Sequence, residues 1–249
     1  MMKPAIQIQN LTKTFKHWAN RPTSIKTLLI DALKGRFHLG EKHEFCVLKN
    51  INLEIHEGEF IGIMGGNGAG KSTLLKLISG IYTPSSGRVK VHAAIAPLIE
   101  LGAGFQGDLS GYENIFLNAA ILGFGRKATR DALPFILEFS ELGEKIEMPI
   151  KHYSSGMLVR LGFSIAAHLD APIMLCDEVL AVGDAGFQEK CLKKIKALHE
   201  EGRTIILITH GGEAVRSFCK RCIVISDQKV VFDGAVEEGV NTYMRIVKK

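Results

Sequence analysis

The chain has 249 residues, a length that suits one large domain, or one domain with an elaboration, built on a sizeable core. Hydrophobic residues make up 46% and charged residues 23%, close to the averages of folded soluble chains, which excludes a disordered or fibrous protein. The formal net charge of +5 is accounted for by residues 13 to 43, which hold seven Lys or Arg against Asp31 and Glu41.

No stretch reaches the roughly 18 apolar residues that span a bilayer; the apolar segment from Gly162 to Cys176 is broken by His168, Asp170 and Pro172. The N-terminal MMKPAIQIQN has no apolar run followed by a small-residue cleavage site, so the cytosol is the expected compartment. The five cysteines are an odd number, and Cys176 sits inside an apolar run, which favours reduced thiols over a secreted disulfide framework. Cys219 and Cys222 form a single CxxC without a second pair or a nearby His, and read as packing residues at a helix end and in a strand.

In chain order, AIQIQNL and INLEIHEGEFIGIM alternate as strands do. Between them, residues 16 to 46 are the expected excursion from the core. Within that excursion Ile25, Leu28, Leu29, Ala32 and Leu33 form an apolar stripe over Ser24 to Gly35, with Pro22 and Thr23 suited to a helix start. The stripe suits either an amphipathic helix at a membrane surface, bordered by Lys26, Lys34 and Arg36, or a helix covering the domain's own core. The middle of the chain, from about Ser110 to Leu169, reads as helical. The strand-like runs PIMLC and TIILIT then alternate with a helix near residues 186 to 200, the order of βαβ units around a parallel sheet. IVISD and KVVFDG form an expected hairpin around Asp227 and Gln228, and AVEEGVNTYMRIVKK a closing helix. The whole reads as a single α/β domain over 1–249, with a helical part at 106–170 and a hairpin and helix at 222–249.

Gly65, Gly66, Asn67, Gly68, Ala69, Gly70, Lys71, Ser72 and Thr73 fit GxxxxGK[ST] between the strand EFIGIM and the helical LLKLIS. Such a loop folds its backbone N–H groups onto phosphate oxygens at the positive end of the following helix. Lys71 then supplies a cation for the β and γ phosphates, and Ser72 a hydroxyl for magnesium. The downstream Gly102 to Gly107 matches GxGxxG, but Asp108 to Gly111 follow it as a turn and Asp131 falls in a helical pattern; a flexible loop is expected instead of a dinucleotide site.

The apolar strand ending at Cys176 runs into Asp177 and Glu178, where a parallel sheet opens onto its crevice. Asp177 suits a magnesium shell, and Glu178 suits a general base for an attacking water. Tyr153, Ser154, Ser155, Gly156 and Met157 precede a helix whose Leu158, Leu161, Ile165 and Leu169 form an apolar stripe, with Ser154 as its cap. A second Ser-Gly helix start is a second phosphate-binding dipole, and one chain does not easily bring both to one nucleotide. His210, after TIILIT, suits a contact to the γ phosphate.

This order of motifs resembles the nucleotide-binding subunit of ABC transporters over nearly the whole chain. The resemblance implies an α/β P-loop NTPase fold of the ABC ATPase type: a mixed sheet core, an antiparallel β subdomain and an inserted helical subdomain. It implies ATP and Mg2+ as cofactors, and a head-to-tail dimer in which the signature, here Tyr153 to Met157, faces the P-loop of a second copy. Asp177 and Glu178 match the family's acidic pair, Ala181 to Asp184 its D-loop, and His210 its switch histidine, although Gly211 stands where an acid commonly follows. Phe15 matches the aromatic that stacks on adenine, with Trp18 as an alternative. Glu100 falls near the glutamine that reaches the metal, with Gln106 as an alternative.

YSSGM, the segment LIELGAGFQGDLSGYENIFLN, DEVLAVGD and the insertion after LTKTF resemble the branch that exports bacterial polysaccharides. That branch implies an ATPase at the cytoplasmic face of the inner membrane, peripheral to two copies of a permease that handles a lipid-linked polysaccharide, and no nucleic-acid partner. About fifteen residues follow Asp233, too few for an added sugar-binding sandwich. Another ABC exporter of drugs or lipids, or a non-transport ABC ATPase acting on nucleic acid, is the alternative.

Overall fold

The computed structural model describes residues 3–19, 41–98, 102–177 and 184–248. Two long strands open the chain, β1 (Pro4–Ala19) and β2 (Glu41–His56). They run antiparallel from Pro4 opposite His56 to Ala19 opposite Glu41. The expected excursion at residues 16 to 46 is therefore narrower than the sequence suggested: its two ends continue the strand pair. Cross-strand partners hold them there, with Phe15 stacked on Phe45 and Lys16 3.9 Å from Glu44. The expected helix over Ser24 to Gly35 lies outside the described residues.

After β3 (Phe60–Met64) and α1 (Lys71–Ile78), β4 (Ser86–Val91) joins the free edge of β1, giving the antiparallel order β2-β1-β4. A second sheet has the order β5-β6-β7-β3-β8-β9, from β5 (Ile95–Leu98), β6 (Ile173–Asp177), β7 (Thr204–Ile208), β8 (Arg221–Ser226) and β9 (Lys229–Ala235). It is parallel except for the β8–β9 hairpin. Asp227 and Gln228 turn that hairpin with φ of 47° and 68°, the double positive φ of a two-residue turn matched to strand twist.

The near-continuous apolar runs of β3, β6, β7 and β8 follow from burial on both faces. Ile61, Ile63, Ile173, Leu175, Ile206, Ile208, Ile223 and Ile225 face the antiparallel sheet and α1. The alternate residues Phe60, Met64, Met174, Cys176, Ile205, Leu207, Cys222 and Val224 face the opposite layer of helices. That layer is built from α4 (Ser155–His168), α5 (Ala185–Glu200), α6 (Gly212–Phe218) and α7 (Val236–Val247).

A third core lies in the helical part, where α2 (Gly111–Ile121) and α3 (Arg126–Ser140) pack on α4. Ser110 starts α2 with a reciprocal cap: its Oγ accepts from the Glu113 N–H at 3.2 Å, and its own N–H donates to the Glu113 carboxylate at 2.8 Å. The predicted stripe of Leu158, Leu161, Ile165 and Leu169 faces this third core, while Phe163, Ala166 and Ala167 of the same helix face the sheet. Helix α4 thus ties the two cores together.

Phe163 sits at that tie, 2% exposed, with its ring 5.7 Å from Phe139 of α3 and 6.2 Å from Phe187 of α5. Phe163→Ala is expected to destabilise the protein by roughly 3–5 kcal/mol through lost burial and the cavity left behind. Chemical denaturation measures it, and a change under about 1 kcal/mol would contradict this placement of the core.

Candidate active site

The carboxyl ends of the parallel strands form one edge. Ile63 of β3 and Asp177 of β6 both align with Ile208 of β7, so Met64, Asp177 and Ile208 end their strands side by side. In an open α/β sheet this edge is where ligands bind.

The loop after β3 is wedged between neighbours that dictate its glycines. Gly70 has a φ of +97°, and a Cβ there would lie 2.7 Å from the Leu48 side chain and 2.9 Å from the Val47 carbonyl oxygen. Gly65 passes so close to β8 that a Cβ would sit 2.5 Å from the Ile225 carbonyl oxygen. Both positions therefore require glycine. Helix α1 starts at Gly70 with no side-chain cap and no acid in its first turn, leaving its positive N-terminus to the loop. Lys71 is 8% exposed and folds back over that loop, its Nζ donating to the carbonyl oxygens of Gly65 at 2.7 Å and Gly66 at 3.0 Å. Asn67 and Gly68 form the exposed tip, and the Ala69 N–H donates to the Gly66 carbonyl at 3.2 Å to close the turn. Thr73, next along α1, is half-buried.

Ser72 Oγ donates to Asp177 Oδ2 at 3.2 Å. The contact spans from the start of α1 to the end of β6, joining two predicted residues 105 positions apart. A hydroxyl and a carboxylate together are hard oxygen donors of the kind magnesium takes, one or two from protein and the rest from phosphate and water. The residues present fit that ion. His210 stands exposed at the same edge, two residues beyond Ile208, in a turn fixed by the Gly211 N–H donating to Thr209 Oγ1 at 2.9 Å. Glu178, Glu100, Ala181 to Gly183 and the side chain of Trp18 lie outside the described residues.

Phe15 is half-buried in a cluster. It stacks on Phe45 at 5.6 Å between centroids and meets the edge of Tyr82 at 5.4 Å; Lys13 Nζ lies 4.9 Å from its ring centre. Gln106 lies on the loop that enters the helical part. That loop was expected to be flexible, yet buried Asn114 clamps it: Nδ2 donates to the carbonyls of Gln106, Leu109 and Ser110, and Oδ1 accepts from the Gln106 N–H at 2.8 Å. Asn118 Nδ2 adds a bond to the Ala103 carbonyl at 3.0 Å. A buried Asn with this many local carbonyls closes the turn as backbone would. An asparagine one turn into a predicted helix is the signal that sequence reading passed over.

Ser154 caps α4 as expected, its Oγ accepting from the Met157 N–H at 3.3 Å. Ser154 and Ser155 are exposed, and Gly156 and Met157 half-buried. Tyr153 differs: its ring is enclosed in the helical core and its hydroxyl donates to the Lys145 carbonyl at 2.7 Å. Among the described residues, no hydrogen bond or ion pair joins Tyr153 to Met157 with the Gly65 to Thr73 loop of the same chain. The loop, Ser72, Asp177 and His210 are brought to one edge; the second helix start is not.

Arg160, also missed from sequence, ties that second helix to the start of α5. It bonds the Glu141 carboxylate at 2.5 Å and the Asp184 carboxylate at 2.6 Å, and lies over the Phe187 ring. Lys190 joins Glu141 at 2.6 Å, and Asp184 caps α5 by accepting from the Phe187 N–H at 3.0 Å. The Lys190 and Arg160 hydrogen bonds hold the Glu141 carboxyl below its usual range; the Phe187 N–H and then Arg160 do the same for Asp184. The thiols, by contrast, are packing groups: burial pushes Cys219 up to about 12 and Cys222 up to about 11.

Comparison with known proteins matches this arrangement. The sequence profile described as ABC transporter matches residues 48–181, more than half of the chain. The O-antigen export system ATP-binding protein RfbB of Klebsiella pneumoniae is 39% identical over 97% of this chain and 98% of its own length. The teichoic acids export ATP-binding protein TagH of Staphylococcus epidermidis is 40% identical over 99% of this chain and 90% of its own. A bacterial ABC transporter cassette solved as a dimer superposes with a TM-score of 0.70 at 25% identity, covering 93% of this chain and 98% of that one.

The carboxylates around Arg160 set a pH dependence. An acid whose native value is depressed stabilises the fold above its unfolded value, and that stabilisation is lost as pH falls through the native value. The stability difference between wild type and Arg160→Leu is therefore expected to hold steady from pH 7 to about 5 and to shrink below about 4. Denaturation midpoints across that range measure it; a difference that grows on acidification would contradict the network.

Proposed function

The chain belongs to the ABC transporter family, and from that premise we propose that it is the ATP-hydrolysing subunit driving export of a lipid-linked polysaccharide through a separate permease. The family binds ATP. The observation that carries the reading is the 3.2 Å contact of Ser72 with Asp177 beside the folded-back Lys71, which supports one phosphate and metal seat at the sheet edge. The names of the relatives, both export ATP-binding proteins of bacterial polymers, support the cargo class.

In this reading the N–H groups of Gly65 to Thr73 and the positive end of α1 bind the β and γ phosphates, and Lys71 moves its ammonium from the loop carbonyls onto them. Ser72 and Asp177 would hold Mg2+, with Glu100 or Gln106 as a further contributor; the ion, when bound, would neutralise charge on the transferring phosphoryl group. Glu178 accepts a proton as water oxygen bonds to the γ phosphorus and the bond to the β–γ bridging oxygen breaks. His210 contacts the γ phosphate. Ser154 to Met157 serve the nucleotide of a second copy, consistent with their separation from the loop of their own chain, and Tyr153 holds that helix start in place.

The permease partner then sits at the cytoplasmic face of the bacterial inner membrane. An apolar cleft of about 730 Å3 between the end of α1, β4, β5 and α2, with Ile81 and Ile121 more than half exposed at its rim, suits such a partner. No helix among the described residues is long and apolar enough to cross a membrane.

Lys71→Ala is expected to abolish tight ATP binding. Glu178→Gln is expected to keep ATP bound, lower turnover about 10²–10⁴-fold and trap a closed dimer, because only the proposed base is removed. Nucleotide titration, steady-state hydrolysis and analytical ultracentrifugation separate the two; near wild-type turnover in Glu178→Gln would sink the base assignment.

A mixture of Lys71→Ala with Ser154→Arg subunits is expected to regain activity, since each mixed dimer holds one intact shared site. If mixed dimers form and activity stays at the sum of the separate variants, the shared site is wrong.

A further inference from the structure

Resting on the reading that His210 contacts the γ phosphate, we propose that Val240 of the closing helix α7 is a positioning residue for that histidine, acting through Gly212. His210 stands between two anchors. On one side Thr209 ties the turn to the sheet: its N–H donates to the Ile63 carbonyl of β3 at 3.3 Å, and its Oγ1 accepts from the Gly211 N–H at 2.9 Å. On the other side Gly212 opens α6, and a Cβ there would lie 2.8 Å from Val240 Cγ1, well inside the roughly 3.5–4.0 Å at which carbon atoms pack. Gly212 has no positive φ, so its backbone conformation does not call for glycine. The close approach of α7 does.

Helix α7 is itself pinned at this point. Val240 is fully buried, and its neighbour Gly239 is seated on β8 so closely that a Cβ would meet the Cys222 side chain at 2.6 Å. Cys222 in turn pairs with Gly62 of β3, the strand that leads into the phosphate loop. Gly62 also seats the middle of α6, since a Cβ there would lie 2.9 Å from Val215 Cγ1. One turn beyond Gly212, Arg216 Nε lies 3.1 Å from the Glu237 carboxylate of α7. With its middle held on β3, α6 can answer a push at Gly212 only by tilting its first turn, the end that carries His210. Val240 thus fixes His210 against the same strand that fixes the phosphate loop, and a misplacement of about 1 Å can cost on the order of 10²-fold in rate.

Steady-state hydrolysis and nucleotide titration of the full chain test the assignment. Gly212→Ala is expected to lower kcat roughly 10-fold to 10²-fold while ATP affinity stays within about twofold of wild type, because the phosphate loop is untouched. Val240→Ala, which withdraws the wedge without a clash, is expected to lower kcat with the same retention of ATP affinity, and it carries the test if Gly212→Ala does not fold. The paired variant, in which the added methyl takes space that Val240 has vacated, is expected to recover turnover to within about threefold of wild type. On a His210→Ala background neither change is expected to slow hydrolysis further, since each acts through that side chain. The proposal is overturned if both single variants turn over at the wild-type rate while His210→Ala is slow. It is also overturned if their losses add to that of His210→Ala, or if ATP affinity falls as far as kcat, either of which would make α7 a support for the fold only. A His210→Ala protein that hydrolyses ATP at the wild-type rate would overturn the reading of His210 itself and this proposal with it.

Discussion

The contact between the Ser72 hydroxyl and the Asp177 carboxylate reports the constraint on which the rest of the arrangement depends, the shared register of β6, β7 and β3. It reaches across β7, which lies between β6 and β3, and it closes only if the three strands end at one level. The register provides this, since Asp177 and Ile63 meet the same residue of β7. A slip of one residue in either pairing would turn the buried faces of β3 or β6 inside out. The isoleucines of one face and the methionines, cysteines and leucines of the other make such a slip costly. The site geometry is therefore a by-product of core packing on both faces of the sheet.

The antiparallel sheet contributes through Leu48, fully buried and in contact with Gly70. Its strand β2 also bonds to the β8–β9 turn, where the Lys49 N–H donates to the Gln228 carbonyl at 2.7 Å. The phosphate loop is thereby held between two sheets, and Gly70 is needed there both for its left-handed φ and because its neighbours leave no room for a Cβ. On the other side, helix α4 joins three parts: its stripe belongs to the helical core, Phe163 to the sheet, and Arg160 to the start of α5.

Much of this was legible in the chain. The loop motif, the apolar strand before Asp177, the Ser154 cap and the hairpin at Asp227 are local patterns, set by residues within a few positions of one another. What was not legible depends on partners far apart in sequence. Phe45 pairs with Phe15 across 30 positions and a bulged register, so the aromatic stack around Phe15 is invisible from either strand alone. Arg160 looked like a polar residue on a helix until Glu141 and Asp184 arrived from either side of it. Tyr153 belonged to the signature by spacing, and only tertiary packing shows its ring to be part of the core. Asn114 was local but silent, because a buried amide that satisfies a loop's carbonyls has no periodic pattern.

The central claim is that Ser72 and Asp177 act as one cation seat for the bound nucleotide. A double-mutant cycle on the magnesium-dependent part of ATP affinity addresses it most directly, using Ser72→Ala, Asp177→Asn and the pair. If the seat is shared, each single variant loses most of the magnesium dependence and the double variant little more, a non-additivity of about 0.5–3 kcal/mol. If the two losses add, or if ATP binds the double variant with full magnesium dependence, the two residues do not form that seat.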